Sequence, residues 1–463
     1  MVVIWAMFAI GLWWLGRTPC SAQITLATPI PRVIIAHMKI SLLLFLSTLS
    51  LFSVGCGANE HVPNHASEAT VTAAPINDWP GWRGPDANGH AGAQSIVTEW
   101  DSVKNWAWKK ELPGRGHASP VVVGDRVYIH TAEAGKYQAL IAYDRVSGVQ
   151  KWRTDLHTTG VEGKLHDRNS FATSTPVWNG EALFVPCYNG GKIVLSRVEA
   201  DGTLTWQKPL MDFKSLWGYS VSPALHGDLV LLAVEHLAAG AMFGIRQSDG
   251  EIVWKTPRPE TPNHATPVIL KLNGRDELVI PGAHQLASFN PQTGEVFWST
   301  KATTLECVGS AVQVGNLVFG AGGYPDAMTS CVDASKPQAE KWHAKKKVYQ
   351  PSLLAVGDYL YGVTDKGIAY CWKASNGKEQ WAERLKNPVA ASPVLVNDLI
   401  LIAGERGVTT IFKANPKKIE LVAENKLGND NFASPAVCGS QIFLRVAFRE
   451  KGKRTEVLYC IGE

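Results

Sequence analysis

The chain has 463 residues, of which 45% are hydrophobic and 19% are charged, so its composition is that of a folded protein and excludes wholesale disorder. The formal net charge is +4, but Arg17, Arg32 and Lys39 lie in the first 55 residues without any acid, and the remainder carries 42 basic and 41 acidic side chains. Because a nucleic-acid-binding protein needs a clustered basic surface, this balance gives no electrostatic case for a nucleic-acid partner.

The first 55 residues are predicted to be a leader for export. Met38-Lys39 precedes an apolar run from Ile40 to Val54, and this run has the charged start and the length of a secretory signal peptide. We therefore interpret residues 1–37 as an upstream extension and residues 38–55 as the signal peptide. The alternative is a membrane helix in the apolar run at 2–15, which is short for a bilayer span.

Cys56 follows Gly55 directly after the apolar run, as in the lipidation motif of bacterial lipoproteins. Ser53 stands where that motif usually has Leu, so lipidation of Cys56 and simple export are both left open. A polar linker over residues 56–77 comes next. The predicted location is therefore the periplasm or the cell envelope, with membrane contact only through a lipid anchor.

The rest of the chain, residues 78–463, is predicted to be one repeat domain. It begins with a lead-in segment at 78–99, followed by a single outer-type strand at 100–112 that contains Trp106-Ala107-Trp108. A pattern of four short strands then recurs to the C-terminus. Each unit opens with Ser or Thr before Pro, or with a degenerate copy of that pair, and most contain a turn ending in Gly with a Trp four residues later. The openings are at residues 120, 176, 223, 267, 311, 351, 393 and 435.

Units of forty-odd residues with four strands are typical of propeller blades, because one four-stranded sheet cannot bury both of its faces alone. The sequence therefore predicts an all-β, eight-bladed β-propeller in which a Trp on each outer strand docks against the next blade. The seventh unit has Leu421 where Trp is expected, and the eighth ends before any Trp. We predict that the strand at 100–112 completes blade eight and closes the ring. The docking residues are Trp108, Trp152, Trp206, Trp254, Trp298, Trp342 and Trp381.

Six cysteines lie in the repeat domain, one or two per unit, without a Cys-x-x-Cys pair or zinc-ligand spacing. We predict that they are small buried core residues, with disulfide pairing as the alternative. They are Cys187, Cys307, Cys331, Cys371, Cys438 and Cys460.

The loops that lead from the outer strand of one blade to the inner strand of the next are predicted to meet at one mouth of the central channel. Their basic, amide and aromatic side chains suit a glycan, a peptide carboxylate or another acidic ligand. The alternative is that Trp217 and Tyr219 plug the channel, and that His117 and His264, at equivalent positions, satisfy backbone groups. The predicted ligand-binding residues are Arg115, His117, Asp167, Arg168, Asn169, Trp217, Tyr219, His264, Tyr349, Gln350 and Asn431.

The Gly-x-x-x-Trp pattern, with Asp or Asn four residues before the Gly, resembles the tryptophan-docking repeat of the quinoprotein-like (PQQ-like) propellers over residues 100–463. The stretch from Trp79 to Asp86 is similar to the start of a subset of these repeat proteins that is abundant in planctomycetes. One branch of the family contains dehydrogenases that use pyrroloquinoline quinone (PQQ) with calcium. Another contains non-enzymatic propellers such as the outer-membrane assembly lipoprotein BamB.

For the dehydrogenase branch, the resemblance implies a quinone stacked between a Trp and a disulfide of two neighbouring cysteines, beside a calcium ion. This chain has no adjacent Cys pair, and calcium usually takes six or more oxygen ligands. Acidic residues at the funnel end are few, namely Glu162, Asp167, Glu260, Glu306 and Asp430.

We therefore expect no catalytic residues, no metal and no cofactor. The predicted function is that of a monomeric, non-catalytic envelope propeller that binds or scaffolds a protein or glycan partner. The first alternative is a PQQ-dependent dehydrogenase-like oxidoreductase. The second is a domain of a larger envelope system that senses a small ligand.

Overall fold

The computed structural model describes residues 77–462, and the predicted leader and Cys56 lie outside the described residues. The described chain contains thirty-two strands and no helix. The first half comprises β1 (Trp106–Leu112), β2 (Val121–Val123), β3 (Arg126–Glu133), β4 (Tyr137–Asp144), β5 (Gln150–His157), β6 (Val177–Trp178), β7 (Ala182–Asn189), β8 (Lys192–Glu199), β9 (Leu204–Asp212), β10 (Ala224–His226), β11 (Leu229–His236), β12 (Ala239–Arg246), β13 (Ile252–Pro257), β14 (Val268–Leu272), β15 (Arg275–Gly282) and β16 (Gln285–Phe289). The second half comprises β17 (Val296–Lys301), β18 (Val312–Val314), β19 (Leu317–Gly322), β20 (Met328–Asp333), β21 (Glu340–Ala344), β22 (Leu354–Val356), β23 (Tyr359–Val363), β24 (Ile368–Lys373), β25 (Glu379–Arg384), β26 (Val394–Val396), β27 (Leu399–Ala403), β28 (Val408–Lys413), β29 (Glu420–Lys426), β30 (Ala436–Cys438), β31 (Gln441–Glu450) and β32 (Lys453–Ile461).

The strands form eight antiparallel four-stranded sheets, which confirms the predicted eight-bladed propeller. Blades one to seven each take four consecutive strands, starting with β2, β6, β10, β14, β18, β22 and β26. Blade eight has the order β1-β32-β31-β30, so the N-terminal strand supplies its outer strand. The predicted ring closure is therefore confirmed, and the strand itself covers residues 106–112 of the segment 100–112.

Burial explains which part of each unit forms which strand. The second and third strands, such as β3 and β4, are buried along nearly their whole length because a neighbouring blade covers each face. The fourth strand alternates exposed and partly buried residues, as β5 does, because it lies at the rim of the ring. The six cysteines are buried free thiols, as predicted, five of them in strands and Cys307 in the loop between β17 and β18.

A bulge places the docking tryptophans in one register. In every blade, one residue of the fourth strand has no partner on the third strand, and the docking position is the residue directly after it. In blade one the unpaired residue is Lys151, and Trp152 at the docking position pairs with Ala142. Trp occupies this position in seven blades. In blade seven it is Ala423, which pairs with Ile411, whereas Leu421 lies before the bulge and is 58% exposed. The assignment of Leu421 to the docking position was wrong, because the register is set by the bulge and not by counting residues.

Blade seven is covered in another way. Trp100, only 3% exposed, belongs to the hydrophobic cluster that joins blades seven, eight and one. Its backbone N–H donates to Asn425 Oδ1, and Asn425 Nδ2 donates to the carbonyl of Thr98, at 3.0 and 2.8 Å. The chain just before β1 therefore brings an aromatic side chain to the part of the ring where the outer strand has Ala.

Six of the seven docking indoles rest on the turn between the third and fourth strands of the next blade. The indole N–H donates to a backbone carbonyl of that turn in five blades, as from Trp108 to Arg145 at 2.8 Å. The Gly of the turn has a positive φ, and a Cβ on Gly148 would lie 2.7 Å from the Trp108 ring. The spacing Gly-x-x-x-Trp therefore links two contacts. The Gly packs against the Trp of the preceding blade, and the Trp four residues later packs against the turn of the following blade.

The Ser or Thr at each opening forms an inner belt. Its hydroxyl accepts the backbone N–H of the equivalent residue one blade earlier in six of the eight junctions, as from Ser119 to Thr175 at 3.0 Å. In blade six the belt residue is Ser352, followed by Leu353. The predicted opening at Pro351 is therefore two residues too early, because Leu stands where the other units have Pro or Ala.

The lead-in segment lies inside the ring, against the innermost first strands. Trp79 exchanges two backbone hydrogen bonds with Val122 of blade one, and Leu395 of blade seven does the same with Gly89 and Ala91. Further bonds reach blades two, five, six and eight. This segment fills the part of the channel that the first strands surround. No helix in the described part of the chain is long and apolar enough to cross a membrane.

The glycine contact predicts a difference between two alanine substitutions in blade one. Gly124 and Gly148 both have positive φ, but a Cβ on Gly124 would meet no atom within 4 Å. We expect Gly124→Ala to lower the free energy of unfolding by about 1–2 kcal/mol through backbone strain. Gly148→Ala should cost about 1–3 kcal/mol more, because the methyl displaces the Trp108 ring. Equal losses in denaturant unfolding would show that the docked ring does not require the glycine.

Two docking tryptophans allow a matched test of the indole N–H. Trp298 Nε1 donates to the buried Glu277 Oε2 at 2.8 Å, whereas Trp254 Nε1 has no partner among the described residues. Both side chains are 8% exposed at the same register position of adjacent blades. We expect Trp298→Phe to cost about 1–3 kcal/mol more than Trp254→Phe, because it removes a donor from a buried carboxylate. Thermal unfolding of both variants measures this difference, and a larger loss for Trp254→Phe would contradict it.

Candidate functional site

The loops from fourth strands to first strands meet around a cavity of about 390 Å³ at one mouth of the channel. Every one of the eight blade junctions contributes, always with the residue two positions before the belt hydroxyl. This ring of eight side chains comprises His117, Thr173, Ser220, His264, Val308, Gln350, Ala390 and Phe432. We call this space the mouth cavity.

The floor of the mouth cavity is Trp82 of the lead-in segment. Its indole N–H donates to Ser310 Oγ at 3.0 Å. At this junction the indole takes the place of the backbone N–H that the preceding blade donates to the belt hydroxyl at six other junctions. Two more aromatic side chains line the cavity and are well exposed, Trp217 at 38% and Tyr324 at 53%. Exposed aromatic faces around a concave site are typical of ligand-binding surfaces.

One loop crosses the mouth. The segment between β5 and β6 carries Arg168, whose guanidinium forms an ion pair with Glu405 of blade seven. The same guanidinium donates to Gln350 Oε1 at 3.0 Å and lies 5.7 Å from the Phe432 ring centre. A residue from the junction of blades one and two is thereby held on the opposite side of the ring.

Burial controls the charge of the acidic groups here. Desolvation raises the pKa of Glu306, whose Oε2 accepts a hydrogen bond from Tyr349 Oη at 2.9 Å. Desolvation also raises the pKa values of Asp365 and Glu405. Asp365 accepts the backbone N–H groups of Tyr349 and Gln350. These carboxyl groups hold the loops in place and are costly to ionise.

Two histidines of the cavity, His117 and His264, are neutral at neutral pH. Desolvation lowers the pKa of His264 to about 4 and that of His117 well below its usual value. His117 stacks on Phe432 with ring centres 4.6 Å apart, and its Nε2 has no hydrogen-bond partner among the described residues. The cavity wall is therefore largely aromatic and uncharged, with Arg168 as its cation.

Seven of the eleven predicted ligand-binding residues line the mouth cavity. They are His117, Arg168, Asn169, Trp217, His264, Tyr349 and Gln350. Their role in binding stays a prediction.

The other four predicted residues lie outside the cavity. Tyr219 is buried in the core, and its hydroxyl donates to the carbonyl of Ala233 at 2.9 Å. The buried Asn431 uses its amide to bind the backbone of Leu427 and Ala447. Asp167 is exposed, and its backbone carbonyl accepts a hydrogen bond from Arg115 Nη2 at 2.6 Å.

Trp82, Tyr324, Phe432 and Glu405 were not among the predicted residues. Phe432 could have been found, because it stands two residues before Ser434 just as His117 stands two before Ser119. Trp82, Tyr324 and Glu405 come from the lead-in segment and from turns inside blades, which no repeat position marks.

No group of three or more His, Cys, Asp or Glu side chains that could hold a metal occurs in residues 77–462. Of the predicted acidic candidates, Glu306 lines the cavity, and Asp430 forms ion pairs with Arg449 and Arg454.

A family model described as outer membrane protein assembly factor BamB matches residues 91–216 and 200–383, together 293 of the 463 residues. The chain belongs to this family. This confirms the resemblance to PQQ-like propeller repeats inferred from the sequence. No curated protein matches the sequence.

Three solved structures illustrate the breadth of the fold. BamB from Moraxella catarrhalis matches with a TM-score of 0.56 and 15% identity over 76% of this chain and 99% of that chain. The quinohemoprotein alcohol dehydrogenase from Comamonas testosteroni gives 0.57 and 12% over 87% and 83%, and the computationally designed Ika8 protein gives 0.52 and 9% over 75% and 98%. An assembly factor, a dehydrogenase and a designed protein share this architecture, so function must be argued from the site.

The raised pKa of Glu306 predicts the pH dependence of a neutral variant. Both states are protonated at low pH, but above the ordinary pKa of about 4.3 the folded protein resists ionisation more than the unfolded chain. The stability of the wild type should therefore fall relative to Glu306→Gln as the pH rises, until the native pKa is passed. Melting temperatures at several pH values between 4 and 8 measure this, with Glu111→Gln on the exposed face of β1 as the control for loss of one charge. A pH-independent difference would contradict the prediction.

Proposed function

We propose that this protein is a non-catalytic binding module of the cell envelope, and that it holds a segment of a partner protein at the channel mouth. The observation that carries the proposal is the mouth cavity, a concave space with exposed Trp217 and Tyr324 on its wall and Trp82 as its floor. Membership of the BamB family supports a role in binding proteins, because that family is named for an assembly factor.

Hydrolytic catalysis is disfavoured by the chemistry of the cavity. Ser220 Oγ lies 3.3 Å from His264 Nδ1, the one pairing of a hydroxyl with a histidine among the residues that line the cavity. A general base works best with a pKa near the operating pH, but burial lowers the pKa of His264 to about 4. No carboxylate of the described residues orients this imidazole, so the pair lacks the third group that activates a serine nucleophile.

Quinone chemistry with calcium does not fit the donors present. Calcium needs six or more oxygen ligands, usually including several carboxylates. The carboxyl groups near the mouth are already engaged, Glu306 with Tyr349, Asp365 with two backbone amides and Glu405 with Arg168. We infer that a bound quinone would lack the calcium that the dehydrogenase branch uses.

Export completes the proposal. The apolar run from Ile40 to Val54 would carry the propeller out of the cytoplasm, and lipidation of Cys56 would anchor it. The linker at 56–77 would then separate the anchor from the ring. Fatty-acid labelling of the wild type and Cys56→Ala distinguishes a lipid anchor from a freely exported protein.

The first experiment uses photo-cross-linking in intact cells. A photoreactive residue is placed at position 217 or 324 in the mouth, and at position 146, where Val146 is 80% exposed on a turn at the opposite end of blade one. We expect a discrete covalent adduct with one envelope protein from positions 217 and 324, and none from position 146. Equal adducts from both ends, or none from the mouth, would contradict the proposal.

A calorimetric titration tests the enzymatic alternative. The purified exported chain is titrated with PQQ in the presence and absence of calcium. We expect no stoichiometric binding, because the carboxylates that would ligate calcium are engaged elsewhere. Stoichiometric, calcium-dependent binding would favour an oxidoreductase instead.

A further inference from the structure

A second cavity of about 760 Å³ lies beside the mouth cavity, between the turns and loops of blades six and seven. Its lining contains five cationic side chains and one carboxyl group. The cations are Arg168, Lys366, Arg384, Lys386 and Arg406, and the carboxyl group is that of Asp365. We call it the basic groove, and it shares Arg168 with the mouth cavity.

The groove is built by two equivalent turns. Blade six has Asp365-Lys366-Gly367 between its second and third strands, and blade seven has Glu405-Arg406-Gly407 at the same place. In both turns the acid is partly buried and holds a neighbouring loop, whereas the following base is exposed. In both turns the carboxylate therefore bonds to a neighbouring loop, whereas the cationic side chain faces the solvent.

Three of the cations are uncompensated. Arg168 pairs with Glu405 and Lys386 with Glu424, but Lys366, Arg384 and Arg406 form no ion pair with any described residue. The Asp365 carboxyl group accepts the backbone N–H groups of Tyr349 and Gln350 and forms no ion pair with these cations. The groove thus keeps a local positive charge in a protein that is nearly neutral beyond its leader.

One amide side chain on the wall has no hydrogen-bond partner among the described residues. Asn387 is 6% exposed and lines the groove, and its side chain makes no hydrogen bond with any described residue. Its N–H groups are available to an oxygen acceptor in the groove.

We propose that the basic groove binds an acidic peptide segment, with glutamate or aspartate carboxylates on its cations and on Asn387. The proposal rests on the proposed function, since the peptide would belong to the same partner protein. Planar guanidinium groups, as in Arg384 and Arg406, match carboxylates in two-point hydrogen bonding. Leu385 and Pro388 add apolar surface to the lining, which suits the apolar side chains of a peptide better than a sulfated glycan.

The test is direct binding of a fluorescent decapeptide of glutamate to the purified exported chain, followed by anisotropy at low and high salt. We expect binding that weakens with salt, because screening reduces attraction between exposed charges. The double variant Lys366→Glu plus Arg406→Glu should lose about tenfold or more in affinity, since it replaces two attractive contacts by repulsive ones. Both side chains are exposed at turn tips, and an unchanged melting temperature checks that the variant folds.

A matched variant controls for net charge. Lys104→Glu plus Lys110→Glu makes the same charge change on exposed residues at the start of blade eight. It should bind the glutamate peptide as the wild type does. Equal losses in both double variants would overturn the proposal, because the attraction would then depend on total charge.

Two further outcomes separate this inference from its alternatives. If a sulfated oligosaccharide binds with the same sensitivity to Lys366 and Arg406 while the glutamate peptide does not, the groove is a glycan site and the proposal fails. If the cross-link from position 217 forms but the peptide does not bind, the basic groove inference falls and the mouth proposal stands. If neither occurs, both fail.

Discussion

The contact between an indole and a glycine of the following blade recurs at five of the eight blade junctions and sets the geometry of most of the ring. Trp108 can rest on the turn of blade one only because Gly148 has no Cβ, and the same pairing recurs at Gly202, Gly250, Gly294 and Gly377. A fixed contact at the rim fixes the angle between neighbouring sheets, and the belt of hydroxyl-to-amide bonds fixes their spacing at the centre. With both set, the residue two positions before each belt hydroxyl is carried to the same depth in every blade. The mouth cavity is therefore a product of the repeat and not of any single loop.

The sequence was a good guide wherever the repeat is intact. Blade number, the closing strand and the seven docking tryptophans follow from periodicity, because each is the same physical requirement met again. Prediction failed where a unit departs from the pattern. Leu421 was taken for the docking residue because the bulge that places Ala423 there depends on strand pairing, which residue counting does not show.

In the site, Tyr219 and Asn431 belong to loops that lead from one blade to the next, but their side chains turn into the core. The ion pair between Arg168 and Glu405 joins residues 237 apart, and no local pattern marks it.

The mouth is asymmetric although the ring is nearly regular. Exposed aromatic side chains, Trp217 and Tyr324, come from the side of blades two to five, whereas the unpaired cations lie on blades six and seven. Arg168 crosses between the two sides and contributes to both cavities. A ligand with an apolar part and an acidic part could thus lie across the mouth in only one direction. Such polarity gives specificity in a fold whose eightfold repetition would otherwise offer equivalent positions.

The pairing of β1 with β32 has a consequence for how the chain reaches its native state. Trp108 lies opposite Cys460, so blade eight cannot form until nearly the entire chain is present. Contacts this distant in sequence carry a high loop-closure entropy and slow the folding reaction. Until closure, blades one and seven each expose a face, and the edge of β32 is open to pairing with another molecule. Closing blade eight therefore joins two segments about 350 residues apart in sequence, and the same closure completes the ring.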